Sequence, residues 1–280
     1  YTLVYTLSLH DALPISSTDH QFSDHHGSKK PLITTELTVS YIKLLSINHM
    51  KNKGFFYNVL LITFTAFAFT GCGGSDSSSP NPETTVNEQG TTSVNLNTMQ
   101  DSITDLPKES LSDTEKEDLI FTREEEKLAY DVYKTLYDST GLPIFTNIAE
   151  AEATHTDSVK LLLDKYELAD PVATPQVIGE FENETLQKLY YDLVNEGSDQ
   201  ISALQVGAKI EELDIDDLQQ AQDRADNEDI RLVYENLLKG SRNHLRAFYQ
   251  TLQNQGGDYQ PEYISQGDFD QIVNSDFERQ

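Results

Sequence analysis

Glu152-Ala153-Thr154-His155 lies inside a stretch, Thr146 to Tyr166, whose apolar residues recur at spacings of three and four. That period marks an amphipathic helix. At about 100° per residue, Ile148, Ala151, Glu152, His155, Val159 and Leu162 share one side. A carboxylate and an imidazole are therefore stacked, three apart, on the face that should be apolar. A carboxylate on a core face costs several kcal/mol unless it is paired or bound to a cation.

The same test can be applied outward along the chain. Leu119 to Leu136 is helical by period, and Gly141 is a plausible stop. Its apolar arc holds Leu128, Ala129, Val132, Tyr133 and Leu136; Glu125 falls inside the arc, and Glu126 lies at its edge beside Tyr133. Asn183 can cap a shorter helix through Leu193, stopped by Gly197, and Ser198 can cap another from Asp199 to about Ala225. On that one Leu204, Gly207, Glu211, Ile215 and Leu218 lie together, while Glu212 falls outside. Asn227 can cap the last, through Tyr249 to Gly256-Gly257, with Leu237, Ser241, His244 and Phe248 on one face. No stretch alternates convincingly enough to be a sheet. Two long helices, a crossover containing a short helix and two more long helices predict an all-α, ferritin-like four-helix bundle with one long connection.

Each of the four long helices thus turns at least one carboxylate or imidazole inward. Divalent iron or manganese suits such mixed ligands, and bundle cores are where these sites are built. Each signal alone is weak. A lone Glu-x-x-His is usually a solvated pair, adjacent glutamates usually a solvated face, a core His usually satisfied by hydrogen bonds. The joint occurrence, one donor set per helix in order, carries the metal reading.

The residues before the bundle read differently. Ser8-Leu9-His10-Asp11-Ala12-Leu13-Pro14-Ile15 resembles the conceptual translation of a common sequencing adaptor, and residues 1–49 are set aside as adaptor-derived read-through. Met50 opens a signal peptide over residues 50–71: Lys51 and Lys53 form the positive region, and Phe55 to Phe69 the apolar one. It ends in Phe69-Thr70-Gly71-Cys72, which resembles a bacterial lipobox with Cys72 as the lipidated residue. Gly73 after it resembles lipoproteins passed to an outer membrane. Residues 72–109, dominated by Ser, Thr, Asn, Gly, Pro and acidic side chains, are expected to be a flexible tether, and residues 110–280 the folded domain.

Charge and cysteine content narrow the function. The formal net charge is −27, and from Cys72 onward 43 acidic residues stand against 15 basic ones. Phosphate backbones would repel such a chain, so nucleic acid is not an expected partner. One Cys excludes a disulfide framework or a Cys₄ centre within one chain. There is no Ser-His-Asp order, phosphate-cradling glycine loop or nucleotide signature.

Glu126-Lys127-Leu128-Ala129-Tyr130-Asp131-Val132-Tyr133 resembles the first-helix Glu-x-x-Ala-Arg-x-x-Tyr of rubrerythrins, with Tyr130 in place of Arg, and more generally the Glu-x₆-Tyr of ferritins and bacterioferritins. Glu152-Ala153-Thr154-His155 resembles the second-helix Glu-x-x-His, and Glu211 the single glutamate of the third main helix. His244 is similar to the final His, but the expected Glu three residues earlier is Ser241. The strings at 124–129, 210–215 and 241–248 also resemble DUF2202, an uncharacterised domain of the ferritin-like superfamily, over Glu124 to Ile264.

The resemblance implies Glu126, rather than Glu125, with Glu152, His155, Glu211 and His244 as ligands of a di-iron centre. Glu152 and Glu211 are the candidate bridges. Tyr133 is a candidate catalytic residue that hydrogen-bonds a ligand or donates an electron, beside the ordinary role of core packing. The expected function is an envelope-anchored ferroxidase or peroxide reductase, using O₂ or peroxide and an external electron donor. Ferritin-like bundles often pair, so a homodimer is compatible. The alternative is a non-enzymatic bundle lipoprotein, a binding or structural module whose metal site is structural or vestigial.

Overall fold

The computed structural model describes residues 82–172 and 175–279. Residues 1–81, with the adaptor-like stretch, the signal peptide and Cys72, lie outside the described residues. Among the described residues the elements are β1 (Thr84–Val86), β2 (Thr92–Val94), α1 (Leu96–Asp105), α2 (Asp113–Thr140), α3 (Pro143–Tyr166), α4 (Glu184–Glu196), α5 (Gln200–Arg224), α6 (Glu228–Asn254) and α7 (Gln266–Val273). None of these helices is long and apolar enough to cross a membrane.

Local chemistry sets the helix ends. Ser112 opens α2 with a capping box: its hydroxyl accepts from the Glu115 N–H, and the Glu115 carboxylate accepts from the Ser112 N–H. Gly141 closes α2 in the left-handed region at φ 69°, which costs glycine nothing. Pro143 starts α3 at a position where its missing N–H is no loss, three residues earlier than the apolar period indicates. Asp199, not Ser198, caps α5.

The protein is mostly helical. α2 packs along α3 and α5 along α6, while α2 also touches α5 and α3 touches α6, so the four long helices enclose one core. Leu128, Val132, Ile148, Leu162, Leu204 and Leu237 are fully buried there. Tyr133, Phe145 and Phe248 close one end of it, with ring centroids 5.1–6.0 Å apart.

The expected tether is folded from Thr84 to Asp105. β1 and β2 form an antiparallel hairpin with Thr84 opposite Val94, and α1 buries Met99 and Ile103 completely. The segment docks with the very groups that make it look like a linker. The Val94 N–H donates to the Thr154 hydroxyl at 2.8 Å, and Lys239 donates to the Thr84 hydroxyl at 2.9 Å. Leu96, Met99 and Ile103 do stand at helical spacing, but three apolar residues in an otherwise polar ten-residue stretch are a weak signal. The hairpin lies ahead of the helical stretch, and its three-residue strands are too short to alternate visibly.

The tail is a packed cap with a helix of its own, α7, which buries Phe269 and Ile272. Glu212 holds it down. Its carboxylate accepts from the backbone N–H groups of Glu262, Tyr263 and Ile264 and from the Tyr259 hydroxyl. Glu212 lies off the apolar arc of α5, yet it is fully buried beneath this segment.

Candidate metal centre

Three successive glutamates on α2 are about 100° apart around the helix, and each meets a different neighbour. Glu124 faces the crossover and accepts the N–H groups of Glu182 and Asn183 at 2.6 and 3.0 Å. Glu125 faces Asp217 of α5, and burial followed by that neighbouring carboxylate pushes its pKa well above the usual range. Glu126 faces α3, with Oε2 3.4 Å from His155 Nδ1. The arc around Leu128 admits Glu125 and places Glu126 at its edge; packing reverses that order.

Glu152 is the hub. Its Oε2 lies 2.8 Å from His155 Nδ1 and its Oε1 2.7 Å from His244 Nδ1. Glu211 Oε2 approaches His244 Nδ1 at 3.6 Å from the far side. The two imidazoles stack with centroids 5.3 Å apart and planes 17° from parallel. The Tyr133 hydroxyl donates to Glu211 Oε1 at 2.6 Å, fixing that carboxylate. Glu126, Glu152, His155, Glu211, His244 and Tyr133 are thus brought together from all four long helices, each 1% exposed or less.

The hairpin covers this cluster. The Thr92 carbonyl accepts from His155 Nε2–H at 2.9 Å, which leaves the His155 lone pair on Nδ1 when the ring is neutral. The Thr92 N–H donates to His244 Nε2 at 3.0 Å, which puts the proton of a neutral His244 on Nδ1, facing Glu152. Gly240 of α6 lies flat against the His155 ring.

The inward atoms remain unsatisfied. Glu126 Oε2, Glu152 Oε1, His155 Nδ1, Glu211 Oε2 and His244 Nδ1 have no partner outside the cluster and face one another at 2.7–3.6 Å. Buried polar groups in native proteins are almost always paired, so five orphans in one place call for a ligand. One donor atom each from Glu152, His155 and His244 lies within 4.8 Å of the others, and these three buried residues can hold a metal ion. No lysine or arginine pairs with Glu126, Glu152 or Glu211 among the described residues. The basic residues of that part of α2 are already engaged, Arg123 with Asp170 and Lys127 with Asp131.

The electrostatics agree. Burial drives the pKa of Glu126 up to about 7, although His155 opposes it. Burial and then the charge of Glu152 drive Glu211 up to about 7. Burial would raise Glu152 too, but the two imidazoles outweigh it and hold that carboxyl well below the usual range. His155 resists desolvation and is raised by Glu152 and Glu126. Hard carboxylate oxygens with two imidazole nitrogens and no sulfur fit divalent iron or manganese.

Ser241 contributes no carboxylate, and its buried hydroxyl donates back to the Leu237 carbonyl at 3.2 Å. Three residues about the centre escaped the sequence: Asp214, Thr92 and Gly240. Asp214 had a signal, since it follows Glu211 by three on one helix face. Thr92 had none.

The family model described as an uncharacterised protein domain, DUF2202, matches residues 115–276. The uncharacterised protein MJ0754 of the archaeon Methanocaldococcus jannaschii is 53% identical over 182 residues, covering 65% of this chain and 98% of that protein. The crystal structure of that hypothetical protein superposes with a TM-score of 0.60, over 62% of this chain and 99% of the other.

Proposed function

The chain belongs to the DUF2202 family, and on that premise we propose that it is a ferritin-like di-iron protein that oxidises Fe(II) or reduces peroxide. The observation that carries this reading is the set of five side-chain N and O atoms with no partner outside their own cluster, contributed by four helices and buried together. Glu126 and His155 would hold one ion, Glu211 and His244 the other, with Glu152 between them. When bound, a reducible iron pair supplies two electrons to O₂ or peroxide. The chain's own part is to fix and bury the donors: Tyr133 orients Glu211, and the Thr92 carbonyl orients His155 with its Nδ1 lone pair inward. With one cysteine, these residues hold no Cys₄ centre, and electrons for a peroxide cycle would reach the bundle from outside it. The lipobox resemblance at Cys72 supports a bacterial envelope location, with the outer membrane favoured by Gly73.

Ser241 supports a second reading, a non-enzymatic helical module whose metal is structural. Elemental analysis of the compact unit Ser75–Gln280, purified without a metal-affinity tag and reloaded anaerobically with Fe(II), separates the two. About two irons per chain, lost in Glu152→Ala and accompanied by Fe(II)-dependent consumption of O₂ or peroxide, is the expected result. Under about a tenth of an ion per chain, with the fold intact, would overturn the di-iron reading.

A further inference from the structure

Asp214 lies on α5 one turn beyond Glu211, at the i, i+3 spacing that puts two side chains about 5–6 Å apart at Cβ. It is 1% exposed, and neither of its carboxylate oxygens has a hydrogen-bond partner. Such a group is rare. Apart from Glu125, every other buried carboxylate of the four long helices outside the centre has a defined partner. Glu115 caps α2, Glu124 holds the crossover, Asp131 pairs with Lys127, Glu212 holds the tail and Asp229 pairs with Lys165. Asp214 shares its isolation only with the centre itself and with Glu125, which has Asp217 beside it.

Di-iron carboxylate bundles of the Glu-x-x-His type use four carboxylates and two imidazoles. In this chain the last helix offers Ser241-x-x-His244, so the set described above stops at three carboxylates. Three carboxylates against two divalent cations would leave one uncompensated positive charge in a dry core, which costs several kcal/mol. A fourth makes the filled centre neutral with both histidines neutral, His244 releasing the Thr92 N–H from Nε2 so that its Nδ1 lone pair is free to ligate.

We infer that Asp214 is that fourth carboxylate, a metal ligand supplied from α5 in place of the residue missing at Ser241. This rests on the di-iron reading and adds to it a ligand from a helix position outside the Glu-x-x-His pattern. The proximity of Asp214 to the centre has an independent sign. After burial itself, the charges of Glu125, Glu126, Glu211 and Glu152 are what raise its proton affinity.

The test is metal stoichiometry and affinity, measured by elemental analysis and chelator competition on the Ser75–Gln280 unit. Wild type, Asp214→Asn, Asp214→Ser and Glu125→Gln are each loaded anaerobically with Fe(II) and, separately, with Mn(II). Wild type is expected to hold about two ions and Asp214→Asn about one, with the loss confined to the weaker site. Asp214→Ser keeps the question answerable if the amide is not accommodated, and should give the same stoichiometry. Glu125→Gln should keep both ions. Two ions with unchanged affinity in both Asp214 variants would overturn the assignment and leave the di-iron reading standing. Loss of an ion in Glu125→Gln and not at Asp214 would move the ligand to α2 and overturn it too. A wild-type protein that takes up no metal would bring down both.

Discussion

Gly240 is glycine because His155 occupies the space where its side chain would be. A Cβ there would stand 2.4 Å from His155 Cε1 and 2.8 Å from Nε2, with the ring held by Glu152 on one edge and Thr92 on the other. Gly240→Ala must therefore push the imidazole out of line. Overpacking of this kind destabilises by about 1–3 kcal/mol. The expected outcome is a lower melting temperature together with loss of bound metal, read by thermal denaturation and elemental analysis. Retention of full metal content would mean that His155 does not ligate from its present position. The triplet Glu124, Glu125 and Glu126 carries the same lesson about legibility. Its position on a helix is plain in the sequence, but which member faces the centre depends on the Glu182, Asp217 and His155 groups that each one meets.

Among the elements, β1, β2 and α1 contribute more than their length suggests. They lay Thr92 across both histidines and bury Val94, Met99 and Ile103 against the long helices. Each fully buried aliphatic side chain contributes roughly 1.5–3 kcal/mol, so removing the segment costs on the order of 5 kcal/mol. A chain beginning after Asp105 is expected to remain helical by circular dichroism but to unfold at markedly lower denaturant. It should also expose both imidazoles to solvent, with a gain in their accessibility to diethyl pyrocarbonate. Unchanged stability would show that the segment merely rests on the surface. The four long helices were readable because each presents a face of about seven turns. The hairpin was not, because it has no face to show.

At the scale of the whole molecule, a chain of net charge −27 also buries a concentrated set of acids at its centre. That has a calculable consequence for stability. Burial raises Glu126 and Glu211 from the ordinary 4.5 to about 7, and Asp214 and Glu125 rise with them. Between pH 4.5 and 7 the folded, metal-free protein therefore holds more protons at these sites than the unfolded chain, and stability must fall as pH rises through that window. Glu152, whose pKa is lowered, acts in the opposite sense only at more acid pH. Thermal melts in chelator should show the midpoint dropping from about pH 5 to pH 8. With Fe(II) or Mn(II) present the slope should flatten or reverse, because the cation displaces those protons and binds more tightly as pH rises. A metal-free midpoint that climbs through the window would mean these carboxylates are ionised and compensated by other groups.

The mostly helical character, the order of the long helices and the inward direction of Glu152, His155, Glu211 and His244 were determined by the sequence alone. Each is a property of residues three, four or seven positions apart on one helix, and that spacing is local. Tertiary structure decided the rest. Glu124 is satisfied 58 residues away, Glu212 47 to 52 residues away, and His244 by Thr92 at a separation of 152. Periodicity says that a side chain points inward; only the packed neighbours decide whether it finds a backbone amide, a lysine or an unpaired cluster of its own kind.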